Sequence, residues 1–338
     1  MTISELTNQN QWQQFIDTLE PHTFLQDWEW GDVQKKLGST IWRLGLSEGE
    51  DLWGVALVVK VVARRGSFLF VPHGPLIKKE KYSAGLKALS DYLKELSEKE
   101  NCSFFRISPL IEDLEVSKEI FENLDYRNAP THMHPELAWI LDLEESEEKL
   151  LSNMRKNTRY SVRKAEKDGV EIEITEDKER LKDFFPVYDE TAERQNFTPF
   201  AKRYLETEYE LLNQAGKVLL FFAKFEGEIV SVAMIVVNKT SAFYHHGASS
   251  QKNSQLTASH LLQWSVIKEA KRRGCKMYNF WGIAPPDKPK HPWAGLSRFK
   301  MGFGGHPEAY VHAQDMVIKP SYWLNYGIEY VRRLRRRL

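Results

Sequence analysis

The chain has 338 residues, and 47 Lys plus Arg balance 47 Asp plus Glu to a formal net charge of +0. At roughly 150 residues per domain that length predicts two domains, and 42% hydrophobic with 28% charged residues is globular rather than disordered composition. The balance excludes a broad cationic coat for nucleic acid, and a cysteine count of 2 excludes a disulfide framework or a Cys-rich zinc module.

The opening MTISELTNQNQWQQF has no basic segment followed by an apolar one, so no signal peptide is expected. No window approaches the ~18 consecutive apolar residues of a membrane span, so the expectation is a reduced, cytoplasmic protein. Residues 9–20 and 27–37 read as short helices, then IWRLGLS, LWGVALVVKVVA and SFLFVPHGPL as strands punctuated by Gly66 and Gly74-Pro75. Leu86, Leu89, Leu93 and Leu96 set a helical period over 79–100. Strand 102–111, helix 115–124 and strand 137–143 close this half. A second half opens with one long helix, acidic at its start and basic at its end, stopped by Gly169. Strand 170–175, helices 177–195 and 201–215, a three-strand meander, a helix over about 257–273 and the strand KMYNFWGI follow. Two similar α/β (α+β) units suggest duplication.

Three stretches carry candidate chemistry. Arg155, Arg159, Arg163 and Lys167 recur every four residues along the long helix, a stripe that fits either solvent or RNA phosphates. The end of the chain combines Tyr322, Trp323, Tyr326 and Tyr330 with Arg332, Arg333, Arg335, Arg336 and Arg337, a pattern of a docking helix, an anionic membrane surface or RNA. In FWGIAPP…GLSRFKMGFGG, Trp281 ends a strand and Lys300 sits beside clustered glycines, where an amine can neutralise an anion or a developing oxyanion. The histidine pairs His132/His134 and His245/His246 lack a third ligand at a recognisable spacing, so no metal is expected.

FLQDWEWGDVQKKLG at 24–38, MRKNTRYSVRKAEKDGVEIEI at 154–174 and FWGI…GLSRFKMGFGG at 280–305 together resemble the Fem family (FemABX), the peptidoglycan interpeptide-bridge aminoacyltransferases, nearly end to end. The resemblance implies two tandem GNAT-like (acyl-CoA N-acyltransferase-like) domains with a cleft between them, 1–145 plus 306–338 and 146–305, without the coiled-coil arm of some members. It implies aminoacyl-tRNA as co-substrate, no cofactor, and an acceptor amine on the third stem residue of lipid II or a UDP-linked muropeptide. Lys300, with Phe299 before it, falls on the lysine next to the aminoacyl ester. Tyr204, Tyr244, His246 and Trp281 fall to the muropeptide site, and the basic stripe to tRNA. The sequence departs from the family where Gln34 replaces an early phosphate-binding lysine, leaving Lys35 and Lys36 to follow it, where Phe200 replaces a phosphate-binding arginine, and where Ser108 takes an acidic position. An activated ester and a free amine need orientation and charge stabilisation, which suits the absence of an evident acid–base pair. The alternatives are an acyl-CoA-dependent N-acyltransferase, disfavoured because SQKNSQLTASHLL lacks the glycines of a pyrophosphate turn, and an inactive protein that binds RNA or a membrane surface.

Overall fold

The leucine stripe of the Tyr82–Lys99 helix is buried at all four positions, and it packs with Leu44, Leu69, Phe105 and Ile107 into the core of the first of two units. The computed structural model describes residues 1–21 and 23–336, apart from the Arg336 side chain, so Arg336 and Arg337 of the basic tail lie outside the described side chains. The first unit holds Met1–Leu137, Lys290–Pro292 and Glu308–Leu338. Its sheet runs Thr2–Glu5, Ile41–Glu48, Asp51–Ala63, Gly66–Val71, Cys102–Ile107, Gln314–Val317, Arg127–Asn128. The Gly66–Val71 and Cys102–Ile107 strands are parallel, joined by the leucine helix as parallel pairs require. The strand Gln314–Val317 comes from the far end of the chain and pairs antiparallel with both of its neighbours.

Beside that strand, Arg106 is fully buried and holds Asp315 with two hydrogen bonds, from Nε at 2.6 Å and Nη2 at 2.8 Å. Nη2 also reaches Glu329 at 2.9 Å, and Tyr322 donates to Asp315 at 3.1 Å. The Tyr322–Arg336 helix is thereby tied to the first unit.

The second unit, Ala138–Pro289 and Trp293–Pro307, has strands in the order Leu137–Asp142, Met277–Gly282, Ser241–Ser249, Glu228–Val237, Val218–Phe225, Glu171–Thr175. The Ser241–Ser249 and Met277–Gly282 strands are parallel and the other pairs antiparallel. Helices Leu181–Gln195, Lys202–Gln214 and Ala258–Arg272 bury Phe184, Tyr209, Leu262 and Ile267 against it.

Two expectations change. The long helix is two, Glu147–Asn153 and Lys156–Lys167, because Met154 and Arg155 are extended, with ψ of 149 and 144. Met154 is buried, and the Arg155 N–H that would continue the helix donates instead to Gly302 at 2.9 Å. The glycine-rich stretch at the end of the unit follows a helix, Ala294–Met301, that periodicity did not reveal.

Candidate functional site

The parallel strands Ser241–Ser249 and Met277–Gly282 pair only through Ser241↔Met277, Ala242↔Tyr278 and Phe243↔Asn279. Beyond that point each strand is irregular. The register of the first shifts so that Tyr244 opposes Ile235 and His246 opposes Met234, leaving His245 as the bulged residue. In the second the pairing is interrupted between Asn279 and Gly282, and Trp281 takes a left-handed φ of 68, with its N–H held by the Asn279 side chain at 2.7 Å. A non-glycine residue at such φ is strained and is held there by its surroundings. The result is a wedge between two strands that have stopped bonding to one another.

Lys300 reaches the mouth of this wedge from the Ala294–Met301 helix. Its Nζ donates to the Gly282 carbonyl at 2.6 Å and lies 6.0 Å from the Tyr244 ring centroid. The side chain is buried, no carboxylate pairs with it among the described residues, and burial lowers its pKa to about 7. Ser297, one turn earlier, accepts from the Ala284 N–H at 2.7 Å and fixes the helix to the loop after the strand. Phe299 points away, edge-on to His260 and Phe303. The glycines serve the chain's own packing: a Cβ at Gly302 would collide with Thr158, and one at Gly305, at φ +91, with the Ile140 carbonyl. Gly304, at φ +90, and Gly305 hold left-handed backbone that glycine adopts without strain.

From the bulge, a contiguous set of side chains runs into the unit. The Trp281 ring is edge-on to His245, His245 lies 4.0 Å from His246 between centroids, and His246 is edge-on to Phe200, which stacks on Tyr204 at 5.0 Å. Lys300, Tyr244, Trp281, His246 and Tyr204 therefore belong to one neighbourhood. Phe200 meets this cluster with an aromatic face.

Sequence reasoning missed Glu208. It lies on the Lys202–Gln214 helix with no exposed surface, and its carboxylate oxygens are 2.6 Å from His245 Nε2 and 3.4 Å from His246 Nε2. Burial pushes its pKa up, but the two imidazoles outweigh that and hold it at about 2. Burial, with His245 beside it, lowers that of His246.

The other candidates lie elsewhere. Lys35 and Lys36 are exposed in the last turn of the Trp28–Lys36 helix of the first unit, and Lys35 borders a surface pocket with Arg43, Ser39 and Thr40. On the Lys156–Lys167 helix, Arg163 and Lys167 are exposed, as is Arg155 just before it. Arg159 is half-buried and folds back to the Ser152 and Met154 carbonyls, capping the end of the Glu147–Asn153 helix. Among the described residues no helix is long and apolar enough to cross a membrane.

Residues 7–125 match the FemAB family model, and residues 152–300 match a model described as Acetyltransferase (GNAT) domain. The chain is 23% identical to "Lipid II:glycine glycyltransferase" of Staphylococcus aureus, the alignment covering 94% of each chain. Among solved structures it is similar to FemX, with a TM-score of 0.85 at 19% identity over 97% of this chain and 100% of that one. A tandem GNAT protein from the clavulanic acid biosynthesis pathway aligns with a TM-score of 0.59 at 12% identity, covering 94% of this chain and 99% of that one. The fold of the two units is tandem GNAT-like.

Proposed function

We propose that the chain is a Fem-family aminoacyltransferase, moving an amino acid from aminoacyl-tRNA to a stem-peptide amine of a peptidoglycan precursor, lipid II or a UDP-linked muropeptide. The observation that carries the reading is Lys300, a buried amine aimed along a carbonyl at the point where two strands part. Among the described residues an amine so placed has no competing counter-ion and, once protonated, it stabilises the tetrahedral oxyanion or the departing ribose oxygen strongly in its low-dielectric surroundings. Phe299 wedges the Lys300 turn against His260 and Phe303. Tyr204, Tyr244, His246 and Trp281 line the acceptor side, Lys35 and Lys36 hold its phosphates, and Arg155, Arg163 and Lys167 follow the tRNA backbone.

Such a reaction takes no cofactor beyond the aminoacyl-tRNA, and that donor puts it in the cytoplasm. The exposed Leu324, Val331 and Leu334 share the last helix with Arg332 and Arg335, an amphipathic pattern that supports peripheral contact with the inner membrane surface, where a lipid-linked acceptor resides. The GNAT model match favours a second reading, acyl-CoA-dependent N-acyl transfer. Against it, the turn into the Ala258–Arg272 helix has no glycine and is occupied by the chain itself, Thr257 Oγ1 donating to the Ser161 carbonyl at 2.9 Å. Transfer of radiolabelled amino acid from charged tRNA, set beside calorimetry with acetyl-CoA, separates the two: transfer without acetyl-CoA binding is expected, and the reverse result overturns the assignment.

A further inference from the structure

Resting for its substrate on the aminoacyl-transfer reading, we propose that the outward face of the Tyr322–Arg336 helix and the Arg64-Arg65 turn form one surface that docks on a bilayer with anionic headgroups. Docked there, the enzyme takes the lipid-linked acceptor in preference to the UDP-linked one.

The helix has two faces. Tyr322 and Asn325 are buried, Glu329 is held by Arg106 at 2.9 Å, and Arg333 donates to the Pro130 carbonyl at 3.3 Å, so this side is turned to the first unit. At about 100° per residue the opposite side carries Trp323, Leu324, Gly327, Tyr330, Val331 and Leu334 within an arc of about 120°. The five large side chains of that arc are 46–62% exposed, and they make up five of the fifteen exposed large hydrophobics among the described residues. So many on one helix form a patch, unlike the single apolar residues that any surface scatters.

The charges around the patch say what covers it. On one flank Arg127 lies over the Trp323 ring at 4.5 Å. The other flank holds Asn325, Arg332 and Arg335. There the Asn325 side chain donates to the Arg65 carbonyl at 3.4 Å, which sets the turn between the Asp51–Ala63 and Gly66–Val71 strands beside the helix. That turn presents an exposed Arg64 and, just before it, Val62 at 77% exposure. Arginines thus stand on both sides of the apolar arc. Carboxylates do not: residues 52–79 contain no Asp or Glu, and the one acid of the helix, Glu329, faces Arg106.

An apolar arc of this kind, with a cationic rim, is the composition of a helix lying in the plane of a bilayer surface. Trp and Tyr rings suit headgroup depth, with an apolar body and a polar edge, and each arginine adds attraction to anionic lipid. RNA would use the arginines and leave Leu324, Val331 and Leu334 in water. A second copy pairing through the same face would set one arginine rim near another with no carboxylate between them. Docking raises the effective concentration of an acceptor confined to the same surface without any new contact to its stem peptide, and does nothing for a soluble acceptor.

The test is co-sedimentation of the full chain with vesicles of phosphatidylcholine, alone or mixed with phosphatidylglycerol. Wild type should bind the mixed vesicles and lose ~tenfold or more in partition when phosphatidylglycerol is left out or salt is raised. Two variants, Leu324→Asp with Val331→Asp, and Arg64→Glu with Arg332→Glu and Arg335→Glu, should each lower partition by ~tenfold or more. Both should melt as wild type does, since the residues are exposed, and should keep transfer to a UDP-linked muropeptide while losing transfer to lipid II in the mixed vesicles. Leu334→Asp, at the far end of the arc, gives a second reading should the first pair disturb the fold.

A wild type that stays in the supernatant, partitions equally into both vesicles, or is matched by its variants overturns the proposal. A dimer in sedimentation that Leu324→Asp with Val331→Asp dissolves overturns it in favour of a second copy. Loss of tRNA binding in the arginine variant with vesicle binding intact overturns it in favour of RNA. Lipid II transfer that survives the loss of partition overturns the acceptor preference. Vesicle binding by a wild type that transfers to neither acceptor overturns the aminoacyl-transfer reading and leaves the docking surface standing, so the two failures are distinguishable.

Discussion

At the scale of single residues, Lys300 carries opposite expectations for activity and for stability. Lys300→Met should cut transfer by ~10²–10³-fold with the fold intact, and near-normal turnover would remove the lysine from its role. Its folded pKa of about 7 lies below the ordinary 10.5, so between those pH values the unfolded chain binds a proton that the folded chain does not. The burial penalty is complete below pH 7 and fades as pH rises towards 10.5. Lys300→Met removes it, so the variant should melt higher than wild type at pH 6, by a few kcal/mol on a scale of about 1.4 per pKa unit, and the gap should narrow by pH 10. A constant gap across this range would contradict the burial of an uncompensated amine. Lys300 and Trp281 stand out in the sequence within one motif, whereas Tyr204, Tyr244 and His246 enter only through the family resemblance. Glu208 does not, because it is one carboxylate among many, 38 positions from His246, and its role follows from a helix crossing a strand.

At the scale of elements, alternation and helical period located most strands and helices, since each has one buried face. They failed where a backbone is interrupted from outside. The break at Met154 depends on a glycine carbonyl nearly 150 positions away, and the bulge at His245 breaks the alternation on which strand reading depends. The break also divides the basic stripe into parts with different duties. Reversing Arg163 and Lys167 to glutamate should weaken tRNA binding and flatten its salt dependence, by about one unit of slope for each phosphate no longer neutralised. An unchanged slope would return them to a solvated helix face. Arg159→Ala should instead lower thermal stability through the uncapped Glu147–Asn153 helix, by on the order of 1 kcal/mol.

At the scale of the whole molecule, the duplicated α/β plan was legible because hydrophobic period survives where sequence identity does not, and the family motifs spanned both halves. What composition could not reveal is where the end of the chain goes. Its tyrosines and arginines read equally as a docking helix or as a surface for an anionic membrane or RNA; Tyr322 and Glu329 in the Arg106 network make the helix a docked one. Asp315→Ala should cost about 3 kcal/mol, because it leaves a buried guanidinium with Glu329 as its one remaining carboxylate among the described residues, and Arg106→Met in the same background should recover part of that loss. Additive losses in thermal melts would show the pair to be uncoupled. The insertion of Gln314–Val317 between Cys102–Ile107 and Arg127–Asn128 bears on biosynthesis. On the ribosome, residues 1–137 emerge with a gap in their sheet that is filled only when the closing residues are translated. The second-made unit thus has all its strands before the first-made one does, and a chain halted before Gln314 is one whose opening half is the part left incomplete.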